Sequence, residues 1–114
     1  MQPVPVYKLL TAAEWQEAEA IGVTATALDT ADGYVHLSAA GQLAETARRH
    51  FAGKGSVRLL RFDASALDHL RWEASRNGEL FPHVYGPLRV SDAELSVWLD
   101  PGPDGVLLIP EDVV

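Results

Sequence analysis

Val6-Tyr7-Lys8-Leu9-Leu10 runs directly into Thr11-Ala12-Ala13-Glu14-Trp15, and this junction decides the fold. Residues 6–10 read as a short strand. Thr11 and Glu14 then stand at capping-box spacing, where the hydroxyl and the carboxylate satisfy each other's backbone N–H groups. Leu10 and Trp15 occupy the staple positions around that cap. Trp15, Ala18 and Ile21 continue at helical spacing, and Gly22 is a stop signal. A strand that feeds a capped helix within the first turn of sequence predicts an α+β chain, with a helix over residues 11–22.

Working outward, residues 24–32 are polar and read as irregular, with Asp32-Gly33 as a turn. Tyr34-Val35-His36-Leu37 suits a strand, and Ser38 stands where it would cap a second helix over residues 39–52. Ala40, Leu43, Ala44, Ala47 and Phe51 form its apolar stripe. Arg48, Arg49 and His50 fall in its last turn, where cations suit the dipole. Residues 57–62 are apolar on both faces, which predicts a central strand. Ser65-Ala66-Leu67-Asp68 reads as a helical turn and Arg71-Trp72-Glu73 as a short strand. Asn77-Gly78 marks a turn. Residues 81–88 hold two prolines and a glycine, which predicts a shaped loop or edge strand. Residues 95–99 and 106–109 read as strands joined by Pro101-Gly102-Pro103-Asp104-Gly105. Trp15, Trp72, Trp98, Phe51 and Phe62 are assigned to the core.

At 114 residues the chain fits one domain spanning 1–114. Composition is globular, 47% hydrophobic and 22% charged. The absence of cysteine excludes disulfides, thiol catalysis and cysteine-ligated metal sites, and fits a cytoplasmic location. The first residues have neither the basic nor the apolar region of a signal peptide, and no apolar run reaches the ~20 residues of a membrane span. A net charge of −7 argues against non-specific binding to nucleic acid or anionic membrane, despite the cluster Arg48, Arg49, Lys54, Arg58 and Arg61. Gly53-Lys54-Gly55-Ser56 has the wrong spacing and setting for a phosphate loop. The Rossmann glycine fingerprint and the serine-hydrolase elbow are both missing.

Two segments carry chemistry. In Asp32-Gly33-Tyr34-Val35-His36-Leu37-Ser38, strand alternation sends Tyr34, His36 and Ser38 to one face and Val35 and Leu37 to the other. The bland alternative is a capping serine and a histidine bonded to the backbone. In Phe81-Pro82-His83-Val84-Tyr85-Gly86-Pro87-Leu88, His83 and Tyr85 alternate with Val84, and the prolines stiffen the backbone. The bland alternative is an edge strand with Tyr85 packed on the core. Glu73 would face a pocket if Trp72 packs inward, and is otherwise a solvated glutamate. His50 and His69 read as surface residues. Strand faces that each carry a histidine are costly to bury without partners, so His36 and His83 are expected to share one half-buried cleft, within roughly 12 Å of each other.

Gly33-Tyr34-Val35-His36-Leu37-Ser38, Gln42, Trp72-Glu73 and Phe81-Pro82-His83-Val84-Tyr85-Gly86-Pro87-Leu88 together resemble the bacterial domain-of-unknown-function family number 952. The resemblance runs from Tyr7 to about Val90, and the Phe-Pro-His-x-Tyr-Gly run is its most specific part. It implies an ADP-ribosyltransferase-like fold, with two helices in the N-terminal half and a bent, half-open mixed or antiparallel sheet. It also implies a cleft for NAD or another nucleotide, and ADP-ribosyl or phosphoryl transfer as the first reaction to consider. His36 would grip the ribose side, Tyr34 or Tyr85 would stack the nicotinamide, and Glu73 would support an oxocarbenium-like transition state. His83 joins them as a catalytic candidate, with Ser38 and Gln42 as ligand-binding candidates. The Glu-x-Glu pattern of toxin-type transferases does not align. Two alternatives stand beside this one: a non-catalytic binding or interaction module, and a metal site built from His36, His83 and Glu73.

Overall fold

A computed structural model describes residues 3–114. These residues build two antiparallel sheets and three short α-helices. β1 (Pro5–Thr11) leads into α1 (Ala12–Ile21), α2 (Ala27–Asp32), β2 (Val35–His36) and β3 (Ser38–Ala39). A 3-10 turn at Ala40–Gln42 precedes α3 (Leu43–His50). Then come β4 (Val57–Asp63), β5 (Leu70–Ala74), β6 (Leu80–Val84) and β7 (Leu95–Leu99). One sheet has the order β3-β1-β4-β7 and the other β2-β6-β5. Among the described residues no helix is long and apolar enough to cross a membrane.

The expected first junction forms as read. Thr11 accepts from the Glu14 N–H, Glu14 returns the bond to the Thr11 N–H, and Gly22 closes α1 in the left-handed region at φ 87. β4 is central, and both its faces are buried. Leu60 and Phe62 join Val6, Leu10, Val35, Leu37 and Val84 on one side. Val57 and Leu59 join Tyr7, Leu9, Leu43, Ala47 and Leu99 on the other. Each such side chain contributes about 1.5–3 kcal/mol by leaving water. The four-stranded sheet is therefore a middle layer. The small sheet and α1 cover one face, and α3 with the C-terminal segment covers the other.

Several expectations are corrected. Residues 24–32 are not wholly irregular. Thr26 caps α2 by accepting from the Asp29 N–H, and Gly33 ends it at φ 82. Six residues are too few to show apolar periodicity, although Thr26-Ala27-Leu28-Asp29 carries the cap spacing. Ser38 does not cap a helix. It pairs with Tyr7 as part of β3, and α3 begins only at Leu43 after the 3-10 turn. The strand expected at 34–37 is only β2, which stops before Leu37, and beyond Leu37 the chain joins the other sheet as β3. Residues 106–109 make a single bridge, Leu107 to Pro101, in place of a strand.

Residues 81–88 supply part of β6, which is the centre of its sheet and not an edge. The Pro82 carbonyl accepts from the Leu37 N–H at 3.0 Å. In an antiparallel ladder a residue's N–H and C=O point to the same neighbour. The missing proline donor thus falls opposite Leu37, where β2 has already ended, and a central proline costs no ladder bond.

Trp72 and Trp98 are not core residues; they are 41% and 45% exposed. Arg58 lies between Trp15 and Trp98, at 4.6 and 5.2 Å from the ring centres. Arg48 and Arg49 both bond Glu45, and Arg61 bonds Glu94. The arginines of the basic stretch are therefore engaged within the fold, which weakens any anion-binding reading of it.

Candidate functional site

β6 carries His83 directly opposite His36 of β2 and opposite Arg71 of β5. Residues opposed across a ladder project to the same face. The two imidazoles accordingly meet, with ring centres 5.5 Å apart. Tyr34 packs on both, at 4.6 Å from His36 and 4.3 Å from His83, and Tyr85 follows at 5.2 Å from Tyr34. Trp72 lies opposite Pro82 on the other face of β5, so its neighbour Glu73 turns toward this face. Trp72 is 41% exposed and is not a buried core residue, yet Glu73 reaches the cluster. Arg71 stands 5.1 Å from the Tyr85 ring centre.

Each imidazole has Nδ1 against a carboxylate. Asp29 Oδ1 lies 2.6 Å from His36 Nδ1, and Glu73 Oε1 lies 2.8 Å from His83 Nδ1. An ionised carboxylate only accepts, so Nδ1 is the donor in both pairs. The two histidines then differ. His36 Nε2 stands 3.0 Å from Asp32 Oδ2, so His36 makes both bonds only with two N–H groups. His83 is 4% exposed, and its Nε2 has no hydrogen-bond partner among the described residues. The Tyr85 hydroxyl donates to the same Glu73 oxygen at 2.7 Å. The bonds from Tyr85 and His83 lower the pKa of Glu73, and the bond to Glu73 raises that of Tyr85.

Two residues that sequence reasoning missed hold His36 in place. Lys8, buried in β1, donates to Asp29 Oδ2 at 2.7 Å and to the His36 carbonyl at 3.0 Å. Asp29 also accepts from the His36 backbone N–H at 3.1 Å. Burial opposes ionisation of Asp29, but the bonds from His36 and the charge of Lys8 outweigh it and bring its pKa down to about 2. A lone lysine in an otherwise apolar strand was the available signal for Lys8. The cap spacing at Thr26 was the signal for Asp29.

The other candidates are placed differently. Ser38 donates to Thr46 Oγ1 at 3.0 Å. Gln42 is buried and braces the two sheets: its Oε1 accepts from the Ala39 N–H, and its Nε2 donates to the Leu80 carbonyl. His50 and His69 are exposed. Among the described residues no group of three or more His, Asp or Glu side chains is disposed to hold a metal ion.

A cavity of about 450 Å³ opens beside the two histidines. It exists because β3 is two residues long and pairs only with Val6 and Tyr7, which leaves the edge of β1 uncovered from Lys8 onward. Lys8, Asp29, His36, Ser38, Phe81 and His83 are among its walls.

Comparisons with known proteins agree on the kind of chain this is. No curated protein matches it. The crystal structure of protein CC0527 from Caulobacter crescentus is 45% identical, with a TM-score of 0.85 over 91% of this chain and 93% of that one. A double mutant of CC0527 superposes with a TM-score of 0.86 at 44% identity, over the same shares of the two chains. Its solution NMR structure gives 0.78 at 46% identity over 90% of each. The family model described as "Protein of unknown function (DUF952)" matches residues 9–95, and the chain belongs to that family.

Proposed function

We propose that the face built by Tyr34, His36, Glu73, His83 and Tyr85 binds a nucleotide-type ligand, NAD first among them, in an ADP-ribosyltransferase-like fold acting in the cytoplasm. The observation that carries this reading is the pair of imidazoles 5.5 Å apart, each backed by a carboxylate and both packed on Tyr34. Aromatic faces receive a base or a nicotinamide ring. His83 Nε2, oriented by the Nδ1 bond to Glu73, receives a ribose hydroxyl. Glu73 spends Oε1 on His83 and Tyr85, which leaves Oε2 to face positive charge developing on a ribose carbon. The neighbouring cavity of about 450 Å³ lies in the range of small-molecule sites. In this reading Ser38 and Gln42 shape the cleft and the other five residues touch the ligand.

Calorimetric titration with NAD and ADP-ribose tests the proposal. The native protein should bind with a dissociation constant of millimolar or tighter, and His36→Ala and His83→Ala should each weaken binding about tenfold, or ~1.4 kcal/mol. Failure of both ligands to bind at millimolar concentration would remove the reading. A binding module without catalysis is favoured by one observation: both ring nitrogens of His36 already face carboxylates. Release of nicotinamide from bound NAD decides between the two.

A further inference from the structure

We infer that the cavity on the open edge of β1 is a phosphate subsite, anchored by Lys8, with His83 Nε2 accepting a hydrogen bond from a ligand hydroxyl beside it. The inference rests on the nucleotide reading above and names the part of the ligand that enters the cavity.

Lysine is rarely buried, yet the Lys8 side chain is only 7% exposed. An ammonium has three N–H donors. Two are used, on Asp29 and on the His36 carbonyl, and among the described residues the third has no partner. The side chain forms part of the cavity wall, so the remaining donor has that space to serve. Besides the Lys8–Asp29 pair, the cavity is lined by Arg49 and His50 and by the Glu14 carboxylate. Asp29 is one negative charge shared between the Lys8 ammonium and His36, and its two oxygens already take three donors: Lys8 on Oδ2, and the backbone and ring N–H of His36 on Oδ1. Thr26, Ser38 and Ser75 add hydroxyls to the wall. A tetrahedral anion with several acceptor oxygens matches one ammonium donor ringed by hydroxyls.

His83 supplies the complementary group. Glu73 fixes Nδ1 as the donor, so in the neutral imidazole Nε2 is the acceptor, and His83 belongs to the same wall as Lys8. An anion at Lys8 and a hydroxyl at His83 describe a phosphorylated alcohol. Within a nucleotide these are the phosphate and a ribose hydroxyl.

The test compares AMP with adenosine on the native protein at low ionic strength, by calorimetry and by amide shifts in NMR. AMP should bind at least about tenfold more tightly, ~1.4 kcal/mol, with the shifts centred on Asp29, His36 and Ser38. Inorganic phosphate should move the same amides and compete with AMP. Lys8→Gln, checked for a native circular dichroism spectrum, should erase the preference for AMP. Equal affinity for AMP and adenosine overturns the phosphate subsite and leaves the nucleotide reading standing. A preference whose shifts lie away from the cavity, at Arg58 and Arg61, also overturns it. Loss of all binding, NAD included, removes the nucleotide reading itself.

Discussion

Lys8 and Asp29 form a buried ion pair that is costly to break from one side. Lys8→Met would leave the Asp29 carboxylate buried without its cation, and such a half-broken pair loses about 3–5 kcal/mol. Urea unfolding should show that loss, and Lys8→Met/Asp29→Leu together should lose less than Lys8→Met alone. A single-mutant loss below about 1 kcal/mol, the size of an exposed pair, would contradict the account. The Glu73 carboxyl offers a finer test. Its pKa is lowered first by the Tyr85 hydroxyl and then by His83. Tyr85→Phe should therefore move the carboxyl titration of Glu73 upward in carbon-detected NMR, and an unmoved titration would count against the bond. The sequence exposed these residues unequally. Alternation placed His36, His83 and Tyr85 on one side, because period-2 geometry is local. Lys8 and Asp29 meet across 21 residues, and only tertiary packing brings them together.

At the level of elements, signals within four residues were readable and pairing partners were not. The Thr11 to Glu14 capping box forms as spaced. Thr11→Ala should destabilise the protein by about 1 kcal/mol, the usual cost of losing such a cap, measured by thermal or urea unfolding; no change would mean that α1 is held by packing alone. Ser38 misled because a serine before an apolar stripe has cap chemistry, yet its backbone pairs with β1 instead. Pro82 misled for a related reason. Proline disfavours central strands, but here its missing donor coincides with the end of β2, a coincidence of register that no single strand's sequence contains. The tryptophans show the limit of composition: Trp98 packs its face on Arg58 and stays exposed.

For the molecule as a whole, the α+β class and the antiparallel sheets were legible. The division into a four-stranded and a three-stranded sheet was not, because it turns on the break at Leu37. The buried charges make stability depend on acid. Asp29 has an ordinary pKa of 3.8, which the fold lowers to about 2. A carboxyl depressed in the fold favours the folded state above its unfolded value, and that contribution disappears as pH falls through the folded value. Roughly 2 kcal/mol should be lost between about pH 4 and pH 2 from this group. Asp29→Asn should be less stable at neutral pH and lose less across that window. Equal acid sensitivity of the two proteins would contradict the assignment.

The central claim is that His36 and His83 together meet a nucleotide-type ligand. The direct measurement is long-range proton–nitrogen NMR of the four imidazoles during titration with NAD. The ring nitrogens of His36 and His83 should shift together along one saturating curve while those of His69, outside the cavity, stay still, with His83 Nε2 moving most because it has no partner among the described residues. No movement at millimolar NAD, or movement confined to His69, would contradict this.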